Sequence, residues 1–241
     1  MDVLIGSAAG ITAFSLTLPT DFVKQWLQSK HSVKEVKGII RKEGYKVLWR
    51  GAGIGNAIIA PQMALKFGVF NRLNDRGVHT IPSAFAAGFV DGAFLGPAIA
   101  MQAHQQMNAN ITLLESWKKI RVQYNPITFS WPMAFRNSMY TGLVFGPLSQ
   151  VEKYLFDRHT PLTTWATALI LNIPATVMCS PFDVWRASQI DQLTQGKPIK
   201  TLSIKPFQGF PSLLVAFALR FPLTIALNEL FRSTCSNHSY N

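Results

Sequence analysis

The residues with chemistry to offer stand where charge is costly. Asp21 and Lys24 follow Pro19 at the end of an apolar stretch, and Asp183 and Arg186 follow Pro181 in the same way. An acid and a base three residues apart share one face of a helix. That spacing makes ion pairs, on the same helix or with a neighbour, and breaks no bonds. Lys66, Arg136 and Arg220 lie within or near the ends of other apolar segments. A cation there costs about 2.5–3.5 kcal/mol on insertion scales unless it meets water or an anion. Asp91, also inside an apolar segment, either lines a shared interior or pairs with a cation there. No Ser/His/Asp set, His-Glu-x-x-His or Cys-x-x-Cys is present, and His104 reads as a helix-end polar residue rather than a ligand. No metal site and no enzyme is expected.

The elements holding these residues follow from charge and hydropathy. The chain has 241 residues with a net charge of +11, 48% hydrophobic residues and only 15% charged ones, where soluble domains carry roughly 25%. Disorder and a disulfide scaffold are excluded, the two cysteines, Cys179 and Cys235, making no framework. Windows empty of Asp, Glu, Lys and Arg run over 3–20, 52–65, 92–114, 137–151, 160–182 and 206–219. Membrane helices of about 20 residues fit that pattern, and helices satisfy their own backbone groups inside lipid. Six spans are expected, near 3–29, 52–73, 81–107, 128–155, 161–190 and 208–232. Mean hydropathy is only +0.16, so the spans carry polar faces turned toward a common interior. The basic excess sits in connectors without an RNA-binding aromatic signature, so no nucleic acid partner is expected. Asp2 stands where a signal peptide would be positive, so targeting is expected to be internal.

The prolines mark a repeat. Pro97 follows Pro19 by 78 residues and Pro181 follows Pro97 by 84, each ending an apolar segment. Three tandem two-helix repeats, 1–75, 76–158 and 159–241, are expected to form one structural domain. Gly6-x-x-x-Gly10 and Gly88-x-x-x-Gly92 place small residues for close helix approach at matching places in two repeats. The connectors 24–50, 102–135 and 183–209 hold eight, three and four Lys/Arg against five in the opposite loops and tail. By the positive-inside rule these connectors face one compartment and both termini the other. The run Gly51-x-Gly53-x-Gly55 has no strand before it and is no dinucleotide loop.

These residues resemble the mitochondrial carrier family, whose repeated signature is Pro-x-Asp/Glu-x-x-Lys/Arg followed by Asp/Glu-Gly and aromatic-Lys/Arg-Gly. Repeat one carries Pro19-x-Asp21-x-x-Lys24, Gln28, Glu43-Gly44 and Trp49-Arg50-Gly51, then Pro61 and Phe67. Repeat three keeps Pro181-x-Asp183-x-x-Arg186 and Gly209, while repeat two keeps Pro97 and Gln106 but has Ile99 and Gln102 where charges belong. The resemblance covers nearly the whole chain, which is short for the family, with clipped connectors. It implies an all-α integral membrane protein, six helices around a central cavity that opens alternately to either side, usually in the mitochondrial inner membrane. An outer membrane or another organelle is the alternative location.

The resemblance also assigns roles. Asp21, Lys24, Asp183 and Arg186 become a matrix-side gate, with Gln28 and Gln106 bracing it and Ile190 unable to. Because repeat two lacks the charges, only the first and third repeats can pair there. On the outer side Glu229 and Arg232 keep the family's charges, whereas Asn71, Asn74 and the Leu148-Ser149 region do not. Substrate contacts fall at Ile58, Gln62 and Lys66, at Arg136, Asn137 and Tyr140, and at Ala216, Phe217 and Arg220, with Val144 and Thr224 above. The fourth-helix positions rest on aligning Phe145 with Phe67. Three inward cations argue for a small anionic solute; Arg136-Asn137 resembles the pair linked with carboxylates, and Tyr140 could stack on a base if the solute is a nucleotide. Arg50 and Gly51 at a helix start can hold a lipid phosphate, in the family that of cardiolipin, and no other cofactor is expected. The weakly charged gates imply uniport beside exchange by a monomer. The rival reading is a non-transporting carrier-like adaptor or insertion factor.

Overall fold

The computed structural model describes residues 2–29, 31–108, 111–123, 125–156 and 160–197, with ten further positions between 207 and 230. The long helices are α1 (Asp2–Gln28), α3 (Ala52–Asp75), α4 (Thr80–Met107), α6 (Pro126–Val144) and α8 (Pro161–Thr194), with shorter α2 (Val33–Glu43), α5 (Leu113–Gln123) and α7 (Leu148–Leu155) between them. A 3-10 turn, Tyr45–Trp49, leads into α3. Among the described residues there is no strand. At about 1.5 Å per residue, the 27 residues of α1 reach about 40 Å and the 34 of α8 about 51 Å, beyond a hydrocarbon core of about 30 Å.

The burial pattern is inverted relative to a soluble protein. Along α8, Thr164, Thr167, Asn172, Thr176, Ser180 and Asp183 are buried, while Leu162, Ile170, Ile173 and Val177 are exposed. Phe94 of α4 and Leu16 of α1 are exposed as well. A helix that hides hydroxyls and shows branched aliphatics needs lipid outside and polar surface inside. Two helices, Thr80–Met107 and Leu162–Thr194, are long and apolar enough to cross a bilayer by composition among the described residues. The fold is therefore that of an all-α membrane protein.

Small residues set the closest packing. Gly88, Gly92 and Gly96 of α4 lie against the backbone of α6 at Asn137, Met133 and Phe129–Ser130, where a Cβ would collide. The small-residue face thus extends one turn beyond Gly88-x-x-x-Gly92. Gly10 lies against the Ile59 side chain of α3, beside the Phe14–Leu18–Ile59 cluster that joins α1 to α3. Going round the bundle, α1 packs on α3, α3 on α4, α4 on α6 and α6 on α8, with α8 touching α1 again.

The expected span 128–155 is split. Helix α6 ends at Val144 and α7 restarts at Leu148. Pro147 has no N–H to continue the ladder and its ring conflicts with the carbonyl four residues back, so the helix ends before it. Glu152 of α7 is then buried against α8, accepting hydrogen bonds from Thr163 Oγ1 (2.8 Å) and Thr164 Oγ1 (2.7 Å).

Two connectors repeat each other. Helices α2 and α5 each have 11 residues and start 80 residues apart, at 33 and 113. Each opens with a capping box: Ser32 with Glu35, and Thr112 with Glu115. The Ser32 backbone N–H donates to Glu35 (2.7 Å) and the Thr112 N–H to Glu115 (2.8 Å). These bonds hold both carboxyls below the ordinary glutamate range.

Candidate functional site

The long helices surround a cavity that is open to solvent. Ile58, Gln62, Lys66 and Phe67 line it from α3 and Arg136 and Tyr140 from α6. Asp21, Lys24 and Gln25 of α1, Gln102 and Gln106 of α4, and Asp183 and Arg186 of α8 form its lower part. Thr224 contributes from the last segment. Contact positions and gate residues therefore share one space.

Arg136 stands at the junction of the two. Its Nε lies 3.6 Å from Asp183, its guanidinium donates to Asn137 Oδ1 (2.7 Å), and its Cζ sits 5.1 Å from the centroid of the Tyr140 ring. Tyr140 donates to Asn172 of α8 (2.7 Å). One face of Tyr140 is therefore covered by Arg136, which leaves the arginine rather than a nucleotide base stacked there. Asn137 is buried behind the wall and hands its amide N–H to Asp91 (2.9 Å), so it positions Arg136 instead of facing the cavity. Phe67 and Phe145 meet edge to face at 6.2 Å, so the two aligned phenylalanines stand at one level of the bundle.

Asp91 pairs with a cation. It is fully buried, 3.4 Å from Lys66 Nζ, and accepts from Gln62 Nε2 at 3.1 Å. Lys66 thus lines the cavity with its charge backed by a carboxylate.

Two features mark the expected gate. Asp21 pairs with Lys24 at 3.4 Å and Asp183 with Arg186 at 3.7 Å, each within its own helix. The second repeat is not silent, because Arg136 supplies a further cation to Asp183. The second feature lies at the brace positions. Neither polar atom of the Gln28 side chain, nor Nε2 of Gln106, has a hydrogen-bond partner among the described residues. The amide that reaches across is that of Gln25, whose oxygen accepts from Arg186 at 3.3 Å. Gln25 lies one turn past Asp21, on the face that meets α8.

Below the charges lies an apolar seam. Ala100, Ala103 and Met107 of α4 pack with Ile190 and Leu193 of α8 and with Trp26 of α1. Ser29 donates to the Ala187 carbonyl (3.4 Å) and touches Met107 Sδ (3.6 Å), joining α1 to both neighbours. Ile190, in place of a brace glutamine, is a fully buried part of that seam. Ile99 packs with Ile54, Ile58 and Met133 on the cavity side.

The remaining expected positions are quickly placed. Arg50 pairs with Glu43, and Gly51 caps α3 with φ at +83°. His104 lies in the last turn of α4, fully buried, with Nδ1 2.9 Å from Ser116 Oγ of α5. Ala216 is buried but does not line the cavity. Phe217, Arg220, Glu229 and Arg232 lie outside the described residues.

The described helices thus place a polar, cation-rich cavity inside an apolar helical jacket. Residues 1–79 match the family model described as mitochondrial carrier protein. The chain is similar to the mitochondrial aspartate-glutamate transporter AGC1 of Saccharomyces cerevisiae, 27% identical over 280 aligned positions, which take in 95% of this chain and 31% of that protein. It is also similar to the mitochondrial thiamine pyrophosphate carrier 1 of Eremothecium gossypii, 26% identical over 167 positions, 60% of this chain and 52% of that one. The chain thus spans under two thirds of the length of either relative. The motif resemblance to the mitochondrial carriers holds in sequence: a match to the carrier model at 1–79, and likeness along nearly the whole chain.

Proposed function

We propose that the chain is an alternating-access carrier that moves a small anionic metabolite, a carboxylate or a nucleotide, across the mitochondrial inner membrane. The observation that carries this reading is the cavity wall: Lys24, Lys66, Arg136 and Arg186 line one space open to solvent inside an apolar bundle. Buried cations on this scale are costly, and an anionic solute that visits them supplies a reason for their presence. In this reading six helices in three repeats act as one monomeric unit. The contacts of Ser29, Gln25 and the apolar seam hold the matrix side closed. A carboxylate fits Arg136 better than a base fits Tyr140, since the guanidinium already covers that ring. A lipid phosphate at the start of α3 would meet the free N–H groups there, with Arg50 held beside it by Glu43.

The test is uptake of labelled carboxylates, oxoacids, amino acids and nucleotides into empty and preloaded proteoliposomes. Saturable uptake of one class supports the carrier, and uptake into empty vesicles establishes uniport beside exchange. Silence across the panel from folded protein would overturn transport and leave the adaptor reading.

A further inference from the structure

We propose that Asp91 is a specificity-determining residue that sets how much negative charge the transported anion carries. The inference rests on the carrier reading above. Asp91 sits in the middle of α4 with no exposed surface and does not line the cavity, so it touches no solute. It acts through its neighbours. Lys66 and Gln62 reach it from α3, at 3.4 and 3.1 Å, and Asn137 reaches it from α6 at 2.9 Å. Lys66 and Gln62 also line the cavity, and Asn137 holds Arg136, which does so too.

One carboxylate therefore fixes the cation of one wall and, through Asn137, the cation of the next. It also weakens what Lys66 offers. An anion approaching Nζ meets a charge already offset by a carboxylate 3.4 Å behind it. A singly charged solute held by Arg136 loses little by this. A second negative group near Lys66 gains less than a bare ammonium would give. The arrangement thus favours the less charged of two anions built on the same skeleton.

The test compares uptake of a dicarboxylate with that of its monoamide, and of a nucleoside diphosphate with that of the monophosphate, in proteoliposomes. Asp91→Asn keeps the size and an acceptor oxygen but removes the charge. A full charge about 6 Å from the second anionic group, at an effective dielectric near 40, is worth a factor of about ten. The ratio of KM values should therefore shift about tenfold toward the more charged partner. Lys66→Gln should move it the opposite way, and the double variant should return close to the wild-type ratio. An unchanged ratio in an Asp91→Asn protein that still transports would overturn the proposal. So would equal loss of both partners, which would make Asp91 a packing residue. If Asp91→Asn does not fold, Lys66→Gln decides, and an unchanged ratio there has the same force. A wild-type protein that moves no anion would remove the carrier reading and this inference together.

Discussion

Replacing Arg136 by alanine tests the site where it is most exposed to error. The side chain meets Asp183 at 3.6 Å, Asn137 at 2.7 Å and the Tyr140 ring at 5.1 Å. Its loss leaves Asn137 Oδ1 without the guanidinium that donates to it, but the other groups keep a partner. Asp183 keeps Arg186 at 3.7 Å, and Asn137 keeps Asp91 at 2.9 Å. The space vacated opens into the cavity, so no sealed void forms. The structural cost is the cation–π contact and the hydrogen bond to Asn137, about 1–2 kcal/mol together, or a fall of about 2–8 °C in Tm. The functional cost is larger. A charge-assisted hydrogen bond from a guanidinium to a solute carboxylate is worth about 1.5–3 kcal/mol, which is about 10- to 150-fold in the affinity for solute. Arg136→Lys should recover part of it, since the charge returns without the planar fork. The assay is initial uptake against solute concentration, beside thermal unfolding of the detergent-solubilised variant. Near-normal uptake by a folded Arg136→Ala protein would refute the placement of Arg136 at the contact point.

Three further outcomes follow from packing and charge. Gly92→Ala should destabilise by about 1–3 kcal/mol, because a Cβ there falls 2.6 Å from the Ala134 Cα, whereas Gly68→Ala, with nothing within 4 Å, should be neutral or better by thermal unfolding. Glu35 and Glu115 titrate below the ordinary glutamate range in the fold, so their capping bonds are fully present above that range and fade only as the pH falls through the depressed values. Hydrogen exchange should find the Ser32 and Thr112 amides protected at pH 5; loss of protection already there would contradict the capping geometry. Asp183→Asn should lower KM, by releasing Arg136 to the solute, and raise leak from preloaded vesicles; a changed rate with KM and leak untouched would count against a shared residue.

Much of the bundle was legible because its signals are local. Prolines 19, 97 and 181 fall inside α1, α4 and α8, and the helix starts at 52 and 80 lie within a residue of expectation. The break after Val144 was also legible, in the adjacent Gly146 and Pro147, as were the capping boxes in Ser32-x-x-Glu35 and Thr112-x-x-Glu115. Other features are beyond a linear reading. Asp91 meets Asn137 across 46 residues, and Gln25 meets Arg186 across 161. Such partners are chosen by how helices rotate against one another. The resemblance supplied positions for the brace glutamines but not their partners, and the third of those positions is filled by Ile190 in an apolar seam.

That seam bears on how solute binding could be felt at the gate. In the proposed reading Arg136 belongs to the contact point and Asp183 to the gate, yet they are one contact apart. A solute carboxylate that takes Arg136 leaves Asp183 to Arg186, and Arg186 is the residue that reaches Gln25 on α1. The same guanidinium thus cannot serve solute and gate equally at one moment, which is the differential interaction that lets a ligand shift an equilibrium between two states. Beneath it, separation of α1, α4 and α8 must expose Trp26, Met107, Ile190 and Leu193. Apolar burial is worth roughly 25 cal/mol per Å², so exposing about 100 Å² costs about 2.5 kcal/mol. A seam of that strength falls within what one or two charge-assisted contacts with a solute can offset. In this reading the second repeat's missing gate charges leave a working closure, made of side chains that hold by area rather than by charge.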